Sequence, residues 1–172
     1  MEGTPSVHAH HQAARGPVGC AVLTISDTRT PETDTGGQLI VDLLRSCGHL
    51  VVRRGIVRDE PEQIEHWIRT AAQDPRVQVI LTTGGTGISP RDNTYEVVSR
   101  MIERRLDGFG ELFRMLSYQE VGPAAMLSRA VGGTVAGRVV LCMPGSPDAV
   151  RLAMDRLVLP EIEHLAWQTA RG

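Results

Sequence analysis

Short, unbroken apolar runs recur along this chain, each followed by a stretch with helical spacing, and this alternation limits the fold more than any other feature. "VGCAVLTIS" (Val18 to Ser26), "HLVVRRGIV" (His49 to Val57) and "VQVILTT" (Val77 to Thr83) read as strands, because continuous branched apolar runs suit a sheet buried on both faces. Between them, Leu39, Ile40, Leu43, Leu44 and Cys47 fall on one helical stripe with Gly48 as its stop. Pro61 opens a second helix carrying Ile64, Trp67, Ile68 and Ala71. Val97, Val98, Met101 and Ile102 suggest a third, and "GFGELFRMLSYQEV" a fourth that ends near Gly122-Pro123. "AVGGTVAGRVVLCMP" reads as two strands about a tight turn at Ala136-Gly137. The last helix opens at "GSPDAV" with Ser146 as N-cap and Pro147 in its first turn, places Val150, Ala153, Met154, Leu157 and Val158 on one face, and should be bent or interrupted at Pro160. The expected fold class is α/β, a three-layer α/β/α sandwich with a mostly parallel central sheet.

A chain of 172 residues is about one domain, expected over residues 18–168, with a polar tail at 1–17 and a short one at 169–172. Aromatics make up only 3% of it, so the core must be aliphatic. The net charge of -2 and the dispersed arginines give no nucleic-acid footprint. No apolar run approaches the roughly 18 residues of a membrane span, and the first 17 residues lack a signal-peptide stretch; a cytoplasmic protein with no membrane partner is expected. Cys20, Cys47 and Cys142 are odd in number, far apart and set in apolar surroundings, which suits buried reduced thiols. "HAHH" near the N-terminus is either a metal-binding tract or part of a solvated tail.

Ligands of an open parallel sheet bind beyond the carboxyl ends of its strands. The first strand ends at Ser26-Asp27, the second leads to Asp59, the third to Thr83-Gly84-Gly85-Thr86-Gly87, and the last to Pro144-Gly145-Ser146. The glycines let backbone amides approach an anion closely, and the start of the final helix offers a second anion site. All 18 basic residues are arginine, so neither a Walker lysine nor a Schiff-base lysine exists, and phosphate must be held by amides or by metal. Asp27, Asp34, Asp59 and Asp92 share this edge, and carboxylates gathered around phosphates call for a divalent cation. Taken singly, each aspartate also suits a loop or a cap. "DTG" at Asp34 to Gly36 matches the short aspartic-protease signature, but here it opens a helix in an α/β pattern.

The set "ISDT…DTGG", "TTGGTGISPRDNTYE", "GFGELFRM", "MLSRAVGG" and "MPGSPDAV" resembles the molybdopterin adenylyltransferase family, the MogA/MoaB-type proteins of molybdenum cofactor biosynthesis, related to the G domains of gephyrin and its plant counterpart. The likeness runs from about Val18 to Leu165, and "ELFRMLSYQEVGPAAMLSRAV" is most similar to the MoaB branch. It implies a trimer or hexamer and an attack by the phosphate of molybdopterin on the α-phosphate of ATP, with Mg2+ as cofactor and ATP as co-substrate. A downstream molybdenum-insertion protein is the further partner implied. The resemblance places the essential carboxylates on Asp59 and Asp92, and phosphate and pterin contacts on Gly84 to Gly87 and Pro144 to Ser146; with the strand-end reading, Asp59 and Asp92 are assigned to hold magnesium near the α-phosphate, and Ser26, Asp27, Asp34 and Thr83 to line the site. Ser128 and Glu111 are secondary candidates. A non-catalytic molybdopterin-binding or scaffold protein is the alternative that the MoaB branch implies. Tyr95 stands where the family commonly has proline, which removes a preset helix start and adds a ring near the pocket rim.

Overall fold

The computed structural model describes residues 16–170; the "HAHH" tract and residues 171–172 lie outside them. One sheet holds β1 (Gly19–Ile25), β2 (Leu50–Val57), β3 (Val79–Thr83), β4 (Arg104–Arg105), β5 (Val131–Val135) and β6 (Arg138–Met143), in the order β2-β1-β3-β6-β5-β4. β1 pairs in parallel with β2 and β3, and β3 with β6. β5 runs antiparallel to β6, and β4 to β5. The helices are α1 (Thr35–Ser46), α2 (Pro61–Gln73), α3 (Thr94–Met101), α4 (Asp107–Val121), α5 (Pro147–Ala153) and α6 (Leu159–Thr169).

The period of two along each strand sorts the apolar residues into two cores. Cys20, Val22, Val79, Leu81, Val139 and Leu141 face α1, α4, α5 and α6. Ala21, Leu23, Ile80, Val140 and Cys142 face α2 and α3. Helices on both faces of a mostly parallel sheet make the expected three layers. Thr24 lies opposite Thr83, and Thr83 opposite Met143, so the parallel strands stop at one level and release their loops at one edge.

Helix α1 is rotated from its expected stripe: Ile40, Val41 and Leu44 are buried, Leu39 and Leu43 only partly, and Cys47 is exposed. The buried stripe begins at Gly36 and Gly37 and runs through Ile40, Val41 and Leu44. At the helix end Gly48 takes φ 81° and donates to the Arg45 carbonyl while His49 donates to that of Leu44, a left-handed cap. The expectation of three buried thiols therefore holds for Cys20 and Cys142 only.

At the β5–β6 turn, Ala136 (φ 48°) and Gly137 (φ 74°) both adopt the left-handed conformation that a two-residue hairpin requires. Near Pro160 the helix widens into a π turn over Met154–Val158, where Leu159 N–H reaches the Met154 carbonyl. Proline has no N–H to continue the ladder and crowds the preceding turn, so the helix loosens there before resuming as α6. β4 carries no apolar signal, being two exposed arginines paired with β5.

Candidate functional site at the strand ends

Two turns touch at the carboxyl edge. Thr83 ends β3 and donates its hydroxyl to the Pro144 carbonyl at 2.9 Å, which ties the glycine loop to the segment entering α5. Gly84 has φ 95°, and a Cβ there would strike the Ile25 carbonyl; a Cβ on Gly145 would lie 3.1 Å from the Gly84 Cα. This backbone crossing requires glycine. Ser146 caps α5 by accepting from the Ala149 amide at 3.2 Å, with Pro147 following it, as the sequence indicates.

Asp59 follows β2 and is 4% exposed. Its Oδ1 accepts from the Asn93 amide at 3.0 Å, and its Oδ2 lies against Gly85. Burial raises its pKa above the usual carboxylate value, the Asn93 hydrogen bonds oppose that rise, and the charges of Asp92 and Asp27 add to it. Asp92 turns one oxygen toward the Ser89 amide at 3.2 Å and packs against Gly87. Asp27 accepts from the Asp59 amide at 3.2 Å and takes two bonds from Arg91, at 2.7 and 2.9 Å. Arg91, then the Asp59 amide, hold the Asp27 pKa below its usual value.

Asp34 spends its carboxylate on structure. It caps α1 through the Gly37 amide (2.9 Å), accepts from the Thr24 hydroxyl (2.9 Å) and pairs with Arg54 (3.1 Å). Ser26 accepts from the Thr28 and Arg29 amides, which leaves its O–H to donate. Both still line a cleft of about 410 Å³ together with Thr83, Gly84, Gly145 and Ser146. A second cavity of about 580 Å³ adjoins it, sharing Ser26 and Arg29 and adding Asp27, Arg54 and Arg58. Asp59, Asp92, Pro144 and the Gly85-Thr86-Gly87 part of the loop line neither cavity.

Among the described residues, no group of three or more His, Cys, Asp or Glu side chains converges into a metal cage. The mutual repulsion around Asp59 fits instead a magnesium ion that takes one or two carboxylates and completes its shell with phosphate oxygens and water.

Ser128 precedes β5 and does not line the cleft, and Glu111 borders a separate depression of about 90 Å³ with Tyr95 and Arg114. Sequence reasoning missed the arginines. Arg91 joins Asp27 to Glu60 (2.8 Å), and Arg129 donates to the Thr86 carbonyl at 2.8 Å and to that of Gly87. The absence of lysine was the available signal, since any fixed cation in this site had to be arginine.

The architecture is an α/β domain whose clefts open beyond the carboxyl ends of its parallel strands, the edge where ligands of such sheets bind. Residues 21–164 match the family model described as a probable molybdopterin binding domain, and the chain belongs to that family. It is similar to molybdenum cofactor biosynthesis protein B of Bacillus cereus, with 49% identity over 96% of this chain and 99% of the relative. The Bacillus subtilis protein of the same name is 43% identical over 93% and 95%. A crystal structure of a molybdenum cofactor biosynthesis protein B superposes with a TM-score of 0.89 at 50% identity, covering 91% of this chain and 98% of the other. For the tungsten cofactor synthesizing protein MoaB of Pyrococcus furiosus the TM-score is 0.81 at 32% identity, covering 90% and 98%.

Proposed function

We propose that this protein acts in molybdenum cofactor biosynthesis, in the cytoplasm, as a magnesium-dependent molybdopterin adenylyltransferase. The observation that carries the reading is the meeting of the glycine turn after β3 and the turn entering α5 at one sheet edge, through Thr83 and Pro144, with Asp59 and Asp92 on the loops beside them. In the reaction, an oxygen of the molybdopterin phosphate bonds to the α-phosphorus of ATP. The bond from that phosphorus to the bridging oxygen breaks, and pyrophosphate leaves with the electron pair.

Two polyanions must approach each other, so positioning and charge neutralisation dominate the barrier. The amides of Gly85 to Gly87 and that of Asp148 in the first turn of α5 orient phosphate oxygens, while the Gly84 amide is taken by the Met143 carbonyl and those of Ala149 and Val150 by Ser146. Asp59 and Asp92 would hold Mg2+, which when bound offsets the phosphate charge. The Asn93 amide fixes the Asp59 rotamer, and the Ser26 hydroxyl donates into the cleft.

Purified protein given molybdopterin, ATP and magnesium should release pyrophosphate. Folded Asp59→Asn and Asp92→Asn variants should each be slower by about 100-fold, the loss typical of removing one transition-state electrostatic group. No release by the native protein, or rates unchanged in both variants, would overturn the assignment. Retention of molybdopterin without turnover would make the protein a binding or scaffold member of the pathway.

A further inference from the structure

Arg129 lies on the segment between α4 and β5, more than 40 residues from the glycine loop, with contacts at separations of 43 and 42. Its guanidinium makes four hydrogen bonds. Nε donates to the Thr86 carbonyl at 2.8 Å, Nη2 to the Gly87 carbonyl and to Glu96 Oε2 at 3.3 Å, and Nη1 to Glu96 Oε1. The guanidinium carbon stands 4.6 Å from the centre of the Tyr95 ring. One side chain thus ties the loop after β3 to the first turn of α3 and to the approach to β5.

The carbonyl contacts fix more than position. In a trans peptide the C=O and N–H point to opposite sides. With the Thr86 and Gly87 carbonyls drawn onto Arg129, the amide hydrogens of Gly87 and Ile88 are turned away from it. Among the described residues, neither amide has a hydrogen-bond acceptor. A guanidinium on the carbonyl side also polarises both peptides, which strengthens their N–H groups as donors.

We infer that Arg129 is a positioning residue that sets the Gly87 and Ile88 amides as a donor pair for a polyphosphate chain, and that Tyr95 is the platform holding Arg129 flat. The chain thereby places its cation behind the phosphate loop, where a P-loop lysine would stand in front of the phosphate. Tyr95 acquires a function: its ring carries the guanidinium, which a proline at that position could not do. The inference rests on the proposed phosphate-binding role of the glycine loop, but not on turnover.

The probe is inorganic tripolyphosphate with magnesium, titrated into the 15N-labelled full chain. The native protein should shift the Gly87 and Ile88 amide resonances with saturation. R129Q should weaken this binding about tenfold, as for loss of one charge-assisted hydrogen bond. R129K should weaken it similarly, because an ammonium keeps the charge but cannot serve two carbonyls and Glu96 in one plane. R76Q, which removes an equal charge from the exposed Asp74 pair, should leave the affinity unchanged, and Y95F should match the native protein while Y95A follows R129Q. Native protein with unmoved Gly87 and Ile88 amides, or folded R129Q and R129K with native affinity, would overturn the inference. Pyrophosphate release is read separately, so its absence beside intact tripolyphosphate binding would overturn the adenylyl-transfer reading and leave this one standing.

Discussion

The amide of Asn93 donates to the carboxylate of Asp59 at 3.0 Å, joining residues 34 apart in sequence. Asn93 directly follows Asp92, so one bond sets the spacing of the two aspartates to which the proposed chemistry is assigned. It also takes up one Asp59 oxygen and leaves the other facing Gly85.

That arrangement costs stability. The folded-state pKa of Asp59 lies above its ordinary 3.8 because burial disfavours the charge. The native state therefore binds this proton more tightly than the unfolded chain, and stability falls as pH rises from 3.8 toward the folded value. Asp59→Asn keeps the acceptor for Asn93 and removes the buried charge. It should stabilise the fold at pH 7 by about 0.5–2 kcal/mol, with the gap closing once pH drops below 3.8. Urea titrations of both proteins at several pH values check this; a less stable variant at pH 7 would contradict it.

Gly85 has φ 64°, and a Cβ there would collide with the Thr94 hydroxyl and the Asp59 carboxylate. Gly85→Ala should cost about 1–3 kcal/mol from strain and overpacking and should also displace Asp59. A calorimetric melt reads the first effect, and a shifted Asp59 carboxyl titration by NMR reads the second.

Arg91 accounts for the low Asp27 pKa, with the Asp59 amide second. In Arg91→Gln the Asp27 titration should move upward, toward 3.8. The sign for stability follows: the native pair contributes above the unfolded pKa and loses that contribution as pH falls through the folded one. The side-chain carboxyl carbon resonance of Asp27 reports the shift, and an unmoved midpoint would assign the low pKa to the amide alone.

The fold was legible because continuous apolar strands and striped helices are local patterns, and the strand-end rule then located the cleft. Ser26, Thr83, Gly84, Gly145 and Ser146 do line it. The side-chain network was not legible, since Arg91 meets Asp27 across 64 residues and Arg129 meets Thr86 across 43. Such contacts leave no periodic trace. Asp34 shows the converse limit: its "DTG" setting identified a residue near the site but not that its oxygens are already committed to Gly37, Thr24 and Arg54.

Cys47 separates the three thiols by exposure. Cys20 and Cys142 are fully buried, and desolvation pushes both to about 12, so neither forms a thiolate at neutral pH. A thiol-disulfide reagent at pH 8 should label one cysteine per native chain and all three in guanidinium. Cys47→Ser should abolish the fast phase.

The outer face of α4 bears Leu112, Met115, Tyr118 and Val121 at three-residue steps, continued by Met126 and Leu127 on the 3-10 turn that follows. These side chains are exposed, Met126 by 82%, while the core-facing side of α4 buries Phe109, Phe113 and Leu116. Apolar residues contiguous along a helix and the next turn form the kind of patch that marks a protein contact surface, and a second copy of this chain is the occupant we propose, in a closed trimer or hexamer. Light scattering should give a mass three or six times the 18.7 kDa of the chain. Met115→Glu with Met126→Glu should reduce it to that of one chain, since burying unpaired carboxylates in such a contact costs more than the contact returns. The monomer should stay folded, because neither side chain belongs to the core clusters. A native mass of 18.7 kDa would remove the assembly.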